Sequence, residues 1–95
     1  MKKYRYKISF TANEASEIAK QLGINFSNEK FDLEQFRKGL DVELEHGNMN
    51  PQTNVTNDDP LLTGRIALAH LHEIPDYYTR LEKLEKEGKE YWSKK

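Results

Sequence analysis

The stretch from Asp59 to Ile74 constrains this chain more than any other. Asp59 and Pro60 form a helix start, an acidic N-cap followed by the residue best tolerated in a first helical turn. Beyond them the chain is nearly apolar, with Leu61, Leu62, Ile66, Ala67, Leu68, Ala69, Leu71 and Ile74. Projected at about 100° per residue, Leu62, Ile66 and Ala69 share one face. Ala67, Leu71 and Ile74 widen that face, and the polar sector narrows to Arg65 and His72. Such a helix is expected to be covered almost all round, so the remaining residues must supply the covering helices. His70 and Glu73 fall inside the apolar arc one turn apart, while His72 points outward.

The remaining chain offers suitable partners. Thr11-Ala12-Asn13-Glu14 is a capping box, and Ala15, Ile18, Ala19 and Leu22 follow as a stripe ending at Gly23. Asp32 and Gln35 form a second box ahead of Leu33, Phe36, Leu40 and Leu44, and Gly47 is the expected stop. Gly39 inside that run costs up to about 1 kcal/mol, which predicts a close helix contact or a break there. After Pro75 a last helix carries Tyr77, Tyr78, Leu81, Leu84, Tyr91 and Trp92, with Lys and Glu opposite and Gly88 as a weak point. The expected fold is all-α, a small four-helix domain with helical stretches over 11–23, 32–47, 59–74 and 75–92. Residues 1–10 alternate Tyr4, Tyr6, Ile8 and Phe10 with Arg5, Lys7 and Ser9, the period of an extended arm lying on helices or of a short edge strand. Residues 48–58 read as a polar loop, long enough in so small a domain to suggest a role, and expected to fold over the helix ends near His46, His70 and Glu73. An EF-hand reading fails for want of the sixth-position Gly and twelfth-position Glu.

Length and composition bound the function. The 95 residues suffice for one domain, and the chain has no cysteine. Disulfides, thiolate metal sites and thiol catalysis are thereby excluded. No apolar run approaches the roughly 18 residues of a membrane span, and no signal-peptide pattern is present, so the expected compartment is the cytoplasm. The formal charge of −1 hides an asymmetry. Residues 1–10 carry four basic groups and no acid, whereas residues 11–79 carry five basic groups against twelve acids. An acidic middle argues against a nucleic-acid partner.

Two Glu/His pairs carry the chemistry. A buried carboxylate needs a partner, and His70 lies within reach of Glu73 at i−3. Glu43 and His46 form a similar pair on the preceding helix. If the two helices pack antiparallel, these side chains face one another, as two carboxylates and two imidazoles. They then either lock the helices by hydrogen bonds or ligate a divalent metal. The order His-x-x-Glu is reversed relative to the di-iron bundle pattern. Asp58 and Asp59 read as caps, with Arg65 able to pair with them or with Glu45. Tyr77 and Tyr78 read as core residues with wet hydroxyls or as an aromatic wall for a ligand beside His70 and Glu73.

Three segments together are distinctive. They are Glu43-Leu44-Glu45-His46-Gly47, then Thr53-Asn54-Val55-Thr56-Asn57-Asp58-Asp59, then Thr63-Gly64-Arg65-Ile66-Ala67-Leu68-Ala69-His70-Leu71 with Glu73 and Pro75-Asp76-Tyr77-Tyr78. This set resembles a family of short bacterial and bacteriophage proteins known only as a domain of unknown function. Its pattern runs ELEHG, TNVTxDD and TGxIALAHLxExPDYYxRL. The resemblance implies a shared helical fold and a shared polar cluster that includes His46, His70 and Glu73, with no reaction attached. The expectation is a non-catalytic interaction or accessory module without a cofactor, meeting a protein partner. The alternative is a metal- or ligand-binding protein, in which Glu43, His46, His70 and Glu73 hold a divalent metal. A ligand would be met by His46, His70, Glu73, Tyr77, Tyr78, Arg65 and Asp58.

Overall fold

A computed structural model describes residues 9–49, 52 and 59–93, with the side chains of 46–49 left out. The described residues form an all-helical domain of four α-helices with no strand. These are α1 (Ala12–Gln21), α2 (Leu33–Met49), α3 (Pro60–Glu73) and α4 (Tyr77–Ser93), with a short 3-10 turn at Phe26–Asn28 between α1 and α2. No helix among the described residues is long and apolar enough to cross a membrane.

Helix starts follow the local sequence. The Thr11 hydroxyl accepts the Glu14 N–H at 3.1 Å, and the Glu14 carboxylate accepts the Thr11 N–H at 2.9 Å. Asp59 accepts the N–H groups of Leu61 and Leu62 at 2.8 and 3.1 Å, which settles two of the orphan donors of α3. Replacing Asp59 by Ala is expected to cost about 1 kcal/mol in chemical denaturation. Asp32 caps α2 through the Gln35 N–H, but the reciprocal half of that box is absent. The Gln35 amide instead donates across to Thr79 on α4 at 2.8 Å. α1 ends as expected, with Gly23 at φ +76° and the Ile24 N–H returning to the Ala19 carbonyl. α2 differs from expectation and continues through Gly47 to Met49, while α4 begins at Tyr77 rather than Pro75.

The core is built from Phe10, Ala15, Ile18, Ala19, Phe31, Phe36, Leu40, Leu44, Ala67, Leu71 and Tyr78. α3 does not lie inside it all round. Its buried residues are Thr63, Gly64, Ala67 and Leu71, while Leu62 and Ile74 are 42% and 40% exposed. Ala69 and Glu73 are also exposed, so the predicted buried face is turned partly to solvent. Close packing explains the difference. A Cβ on Gly64 would lie 2.9 Å from Leu22 and 3.1 Å from Ile18, so α3 presents its small residues where α1 and α2 press closest.

α2 and α3 run parallel. Along the pair, Phe36 sits against Gly64, Gly39 against Ala67 and Glu43 against His70, so both chains advance in the same direction. The antiparallel arrangement considered from sequence is thereby corrected. Parallel neighbours need a connection that returns the length of the pair. The link from Met49 to Pro60 can cover this, since an extended chain spans about 3.3 Å per residue and a helix rises about 1.5 Å. Topology alone accounts for the length of that loop. Its expected fold over the helix ends lies outside the described residues, as do residues 1–8 of the arm. Ser9 and Phe10 are described, and the Phe10 ring is buried.

Candidate functional site

The parallel register brings Glu43 of α2 level with His70 of α3, and α4 folds back over both. Gly39 makes this possible. A Cβ there would lie 2.6 Å from the Tyr78 ring and 2.9 Å from the Ala67 Cβ, so only glycine lets α3 and α4 approach α2 together. The sequence expected a close contact or a break at Gly39, and the contact is what occurs.

Tyr78 is 2% exposed, and its hydroxyl donates to Glu43 Oε2 at 2.8 Å. Burial holds that hydroxyl well above its ordinary pKa, and the Glu43 charge and the hydrogen bond raise it further. His70 Nε2 lies 3.7 Å from the same Glu43 oxygen, an ion pair when the imidazole is protonated. The Glu43 side chain is only 12% exposed, so Tyr78 and His70 answer the need of a buried carboxylate. Tyr77 stacks face to face on His70 with ring centroids 4.4 Å apart, and Tyr78 meets the same imidazole edge-on. Tyr77 and Tyr78 also pack edge to face at 4.9 Å.

Glu73 takes a lesser part than expected. It is exposed, and its carboxylate lies 4.0 Å from His70 Nδ1. Glu43 and Glu73 thus flank different nitrogens of one imidazole. A metal ion binds through one of them and so cannot take both carboxylates together with that ring. Among the described residues no group of three His, Cys, Asp or Glu is placed to hold a metal. The His46 side chain and Asp58 lie outside the described residues. Arg65 is exposed on α3, outside the cluster, and no ion pair with a described residue is seen for it. The site that forms is therefore Glu43, His70, Tyr77 and Tyr78, with Glu73 at its rim.

Sequence reasoning missed two contacts. His72 is exposed as expected, yet it pairs with Glu29 at 3.2 Å and faces the Phe31 ring. Asp41 anchors the chain before α1. It accepts the Phe10 N–H at 2.7 Å and pairs with Arg37 at 3.2 Å, and Arg37 in turn donates to the Phe10 carbonyl. Burial holds the Asp41 carboxyl above its ordinary range, with the Phe10 N–H and Arg37 pulling the other way. The i, i+3 and i, i+4 spacing of Glu34, Arg37 and Asp41 was the available signal.

No curated protein and no solved structure matches the chain. A family model described as "Protein of unknown function (DUF5661)" matches residues 15–87, which takes in the whole site and stops short of Tyr91 and Trp92. Glycine 39, the buried Glu43–Tyr78 bond and the His70–Tyr77 stack thus belong to a chain that is, over most of its length, a member of the DUF5661 family of proteins of unknown function.

Proposed function

We propose that the protein is a non-catalytic interaction module that receives an apolar helix of a protein partner on the outward seam of α4. The carrying observation is the exposure of Leu84, Tyr91 and Trp92, at 63%, 56% and 70%. Leu81, Leu84, Gly88 and Tyr91 follow one another at the three-and-four spacing of a helix-pairing seam, with Trp92 beside it. Leu81 packs on the core, so the seam begins inside the domain and runs out onto an exposed surface. Large apolar side chains gathered in this way mark association sites. The polar cluster supports the reading, because Glu43 and Tyr78 spend their hydrogen bond on each other. The motif resemblance further suggests a bacterial or bacteriophage protein.

A photo-crosslinking residue at position 84 should capture one dominant partner in the host cell. Leu84→Asp combined with Trp92→Ala should abolish capture while leaving stability within about 0.5 kcal/mol, as for other exposed positions. Undiminished capture by that variant sinks the proposal. So does a concentration-dependent dimer through the same seam in light scattering, which would make a second copy the occupant.

A second reading rests on the half-buried His70, whose ring lies flat on Tyr77 with Glu73 beside it. In that reading His46, His70, Glu73, Tyr77 and Tyr78, with Arg65 and Asp58, contact a small ligand, and the metal form is the one expected from Glu43, His46, His70 and Glu73. Titration with zinc and manganese, followed through the histidine ring signals, tests the metal form. Unmoved signals at equimolar metal remove it.

A further inference from the structure

We propose that the basic arm, residues 1–8, docks in the groove between α2 and α4. The groove has a volume of about 250 Å³, and Val42, Tyr78 and Leu81 form its apolar part. Glu82 and Glu85 of α4 stand on one side, with Arg37, Lys38 and Asp41 of α2 on the other.

The described chain begins at Ser9, in contact with Asp41 at the edge of this groove, while Phe10 lines the neighbouring surface between α1 and α3. Ser9 Oγ and the Phe10 N–H both reach the Asp41 carboxylate, at 3.5 and 2.7 Å, and Arg37 donates to the Phe10 carbonyl at 3.3 Å. Asp41 and Arg37 are themselves groove residues, so the arm enters beside them. Its chemistry fits what it meets. Lys2, Lys3, Arg5 and Lys7 are four bases among residues that include no acid, and Glu82 and Glu85 are exposed carboxylates across the groove. Arg37 is already paired with Glu34 and Asp41, which reduces its opposition to a basic segment.

The register also agrees. Successive side chains of an extended segment alternate sides. Ser9 faces a carboxylate and the Phe10 ring is buried. A docked arm that kept this alternation would present Lys7 and Arg5 to the carboxylates and Ile8, Tyr6 and Tyr4 to the apolar part of the groove. Eight extended residues span about 26 Å, far more than the roughly 6 Å between positions 81 and 85 of a helix. Only the part of the arm nearest Ser9 is needed to fill the groove. A competing surface lies between α1 and the start of α3, where Glu14, Glu17 and Asp59 surround Ile18 and Leu61.

The chain has no cysteine, so paired cysteines report the docking without background. Lys7→Cys with Glu82→Cys, and Lys7→Cys with Glu17→Cys, both replace exposed acids on helices, and far-UV circular dichroism confirms their folding. The 95-residue chain is oxidised by air at low concentration, and intramolecular disulfide is read by mass spectrometry. The expected result is a rate at least about tenfold higher for the Glu82 pair, an effect of raised local concentration. Faster closure of the Glu17 pair overturns the proposal in favour of the α1–α3 surface. Equal slow rates overturn it because the arm then has no fixed seat, and intermolecular disulfides overturn it in favour of a second copy. Glu82→Lys with Glu85→Lys should slow closure between Lys7→Cys and a cysteine at Val42, and unchanged closure counts against the charge pairing.

Discussion

Gly39→Ala should destabilise the domain by about 2–3 kcal/mol, at the upper end of the usual overpacking penalty. The substitution adds a single methyl group and improves helix propensity by roughly 1 kcal/mol, so on local grounds it should help. Packing reverses the sign. The new Cβ would stand 2.9 Å from the Ala67 Cβ, which is fixed to the backbone of α3 and cannot rotate away. It would also stand 2.6 Å from the ring of Tyr78, which is buried and held by its bond to Glu43. Both neighbouring helices must therefore move. For a domain of this size the loss lowers the thermal midpoint by roughly 10–20 °C. Gly64→Ala is the control. Its new Cβ meets the Cδ1 methyl of Leu22 at 2.9 Å, which can rotate away, and Cγ2 of Ile18 and the Phe36 ring at 3.1 and 3.4 Å, where a shift of about a few tenths of an ångström suffices. That variant should lose about 1 kcal/mol or less. Equal or greater stability of the Gly39 variant would refute the three-helix contact, and with it the geometry of the Glu43 site. Ala67→Gly in the same chain should recover part of the loss, the non-additivity expected of residues in contact.

That contrast also marks what the sequence could and could not convey. Caps were legible because a side chain there answers N–H groups a few residues away. Thr11 with Glu14, and Asp59 with Leu61 and Leu62, behave as their spacing implies. The buried face of α3 was legible only in part. Projection ranks residues by hydrophobicity and so centred the face on Leu62 and Ile66. The helix buries Ala67 and Leu71 from that arc, but with them Thr63 and Gly64, because backbone approach is what that face provides. The parallel course of α2 and α3 was hidden for a related reason, since nothing local in either helix encodes direction. Its trace was the length of the link after Met49, which the topology requires. For the site, Glu43 and His70 were visible as members of two Glu/His pairs on neighbouring helices, whereas the donor to Glu43 was not. Tyr78 lies 35 residues from Glu43, and only the folding back of α4 makes it the partner. Glu73 drew attention through an apolar arc whose Leu62–Ala69–Ile74 side, Glu73 included, turned out to face solvent.

Tyr78→Phe isolates the bond at the centre of the site. It removes one oxygen atom, leaves the ring and its contact with Gly39 intact, and deprives a largely buried carboxylate of its 2.8 Å donor. Hydrogen bonds to charged partners contribute roughly 1.5–3 kcal/mol, and the expected loss lies in that range. Adding Glu43→Met should restore most of it, because the cost arises from an unanswered carboxylate rather than from missing volume. The pH dependence supplies an independent check. The folded protein holds the Tyr78 proton above the ordinary value of 10.0, chiefly through burial and then through Glu43. The unfolded chain releases its proton near that ordinary value. Above it the unfolded state binds fewer protons than the folded one, so stability falls as pH rises. The contribution is thus complete below about pH 9 and is lost progressively beyond pH 10, at up to about 1.4 kcal/mol per pH unit. Lysines and the other tyrosines titrate in both proteins, so the informative quantity is the unfolding free energy of the wild type minus that of Tyr78→Phe. This difference should be flat from pH 7 to 9 and shrink above 10. A difference that stays flat to pH 11 would mean the hydroxyl ionises as readily in the fold as outside it. The Glu43–Tyr78 bond could then not be the lock between α2 and α4.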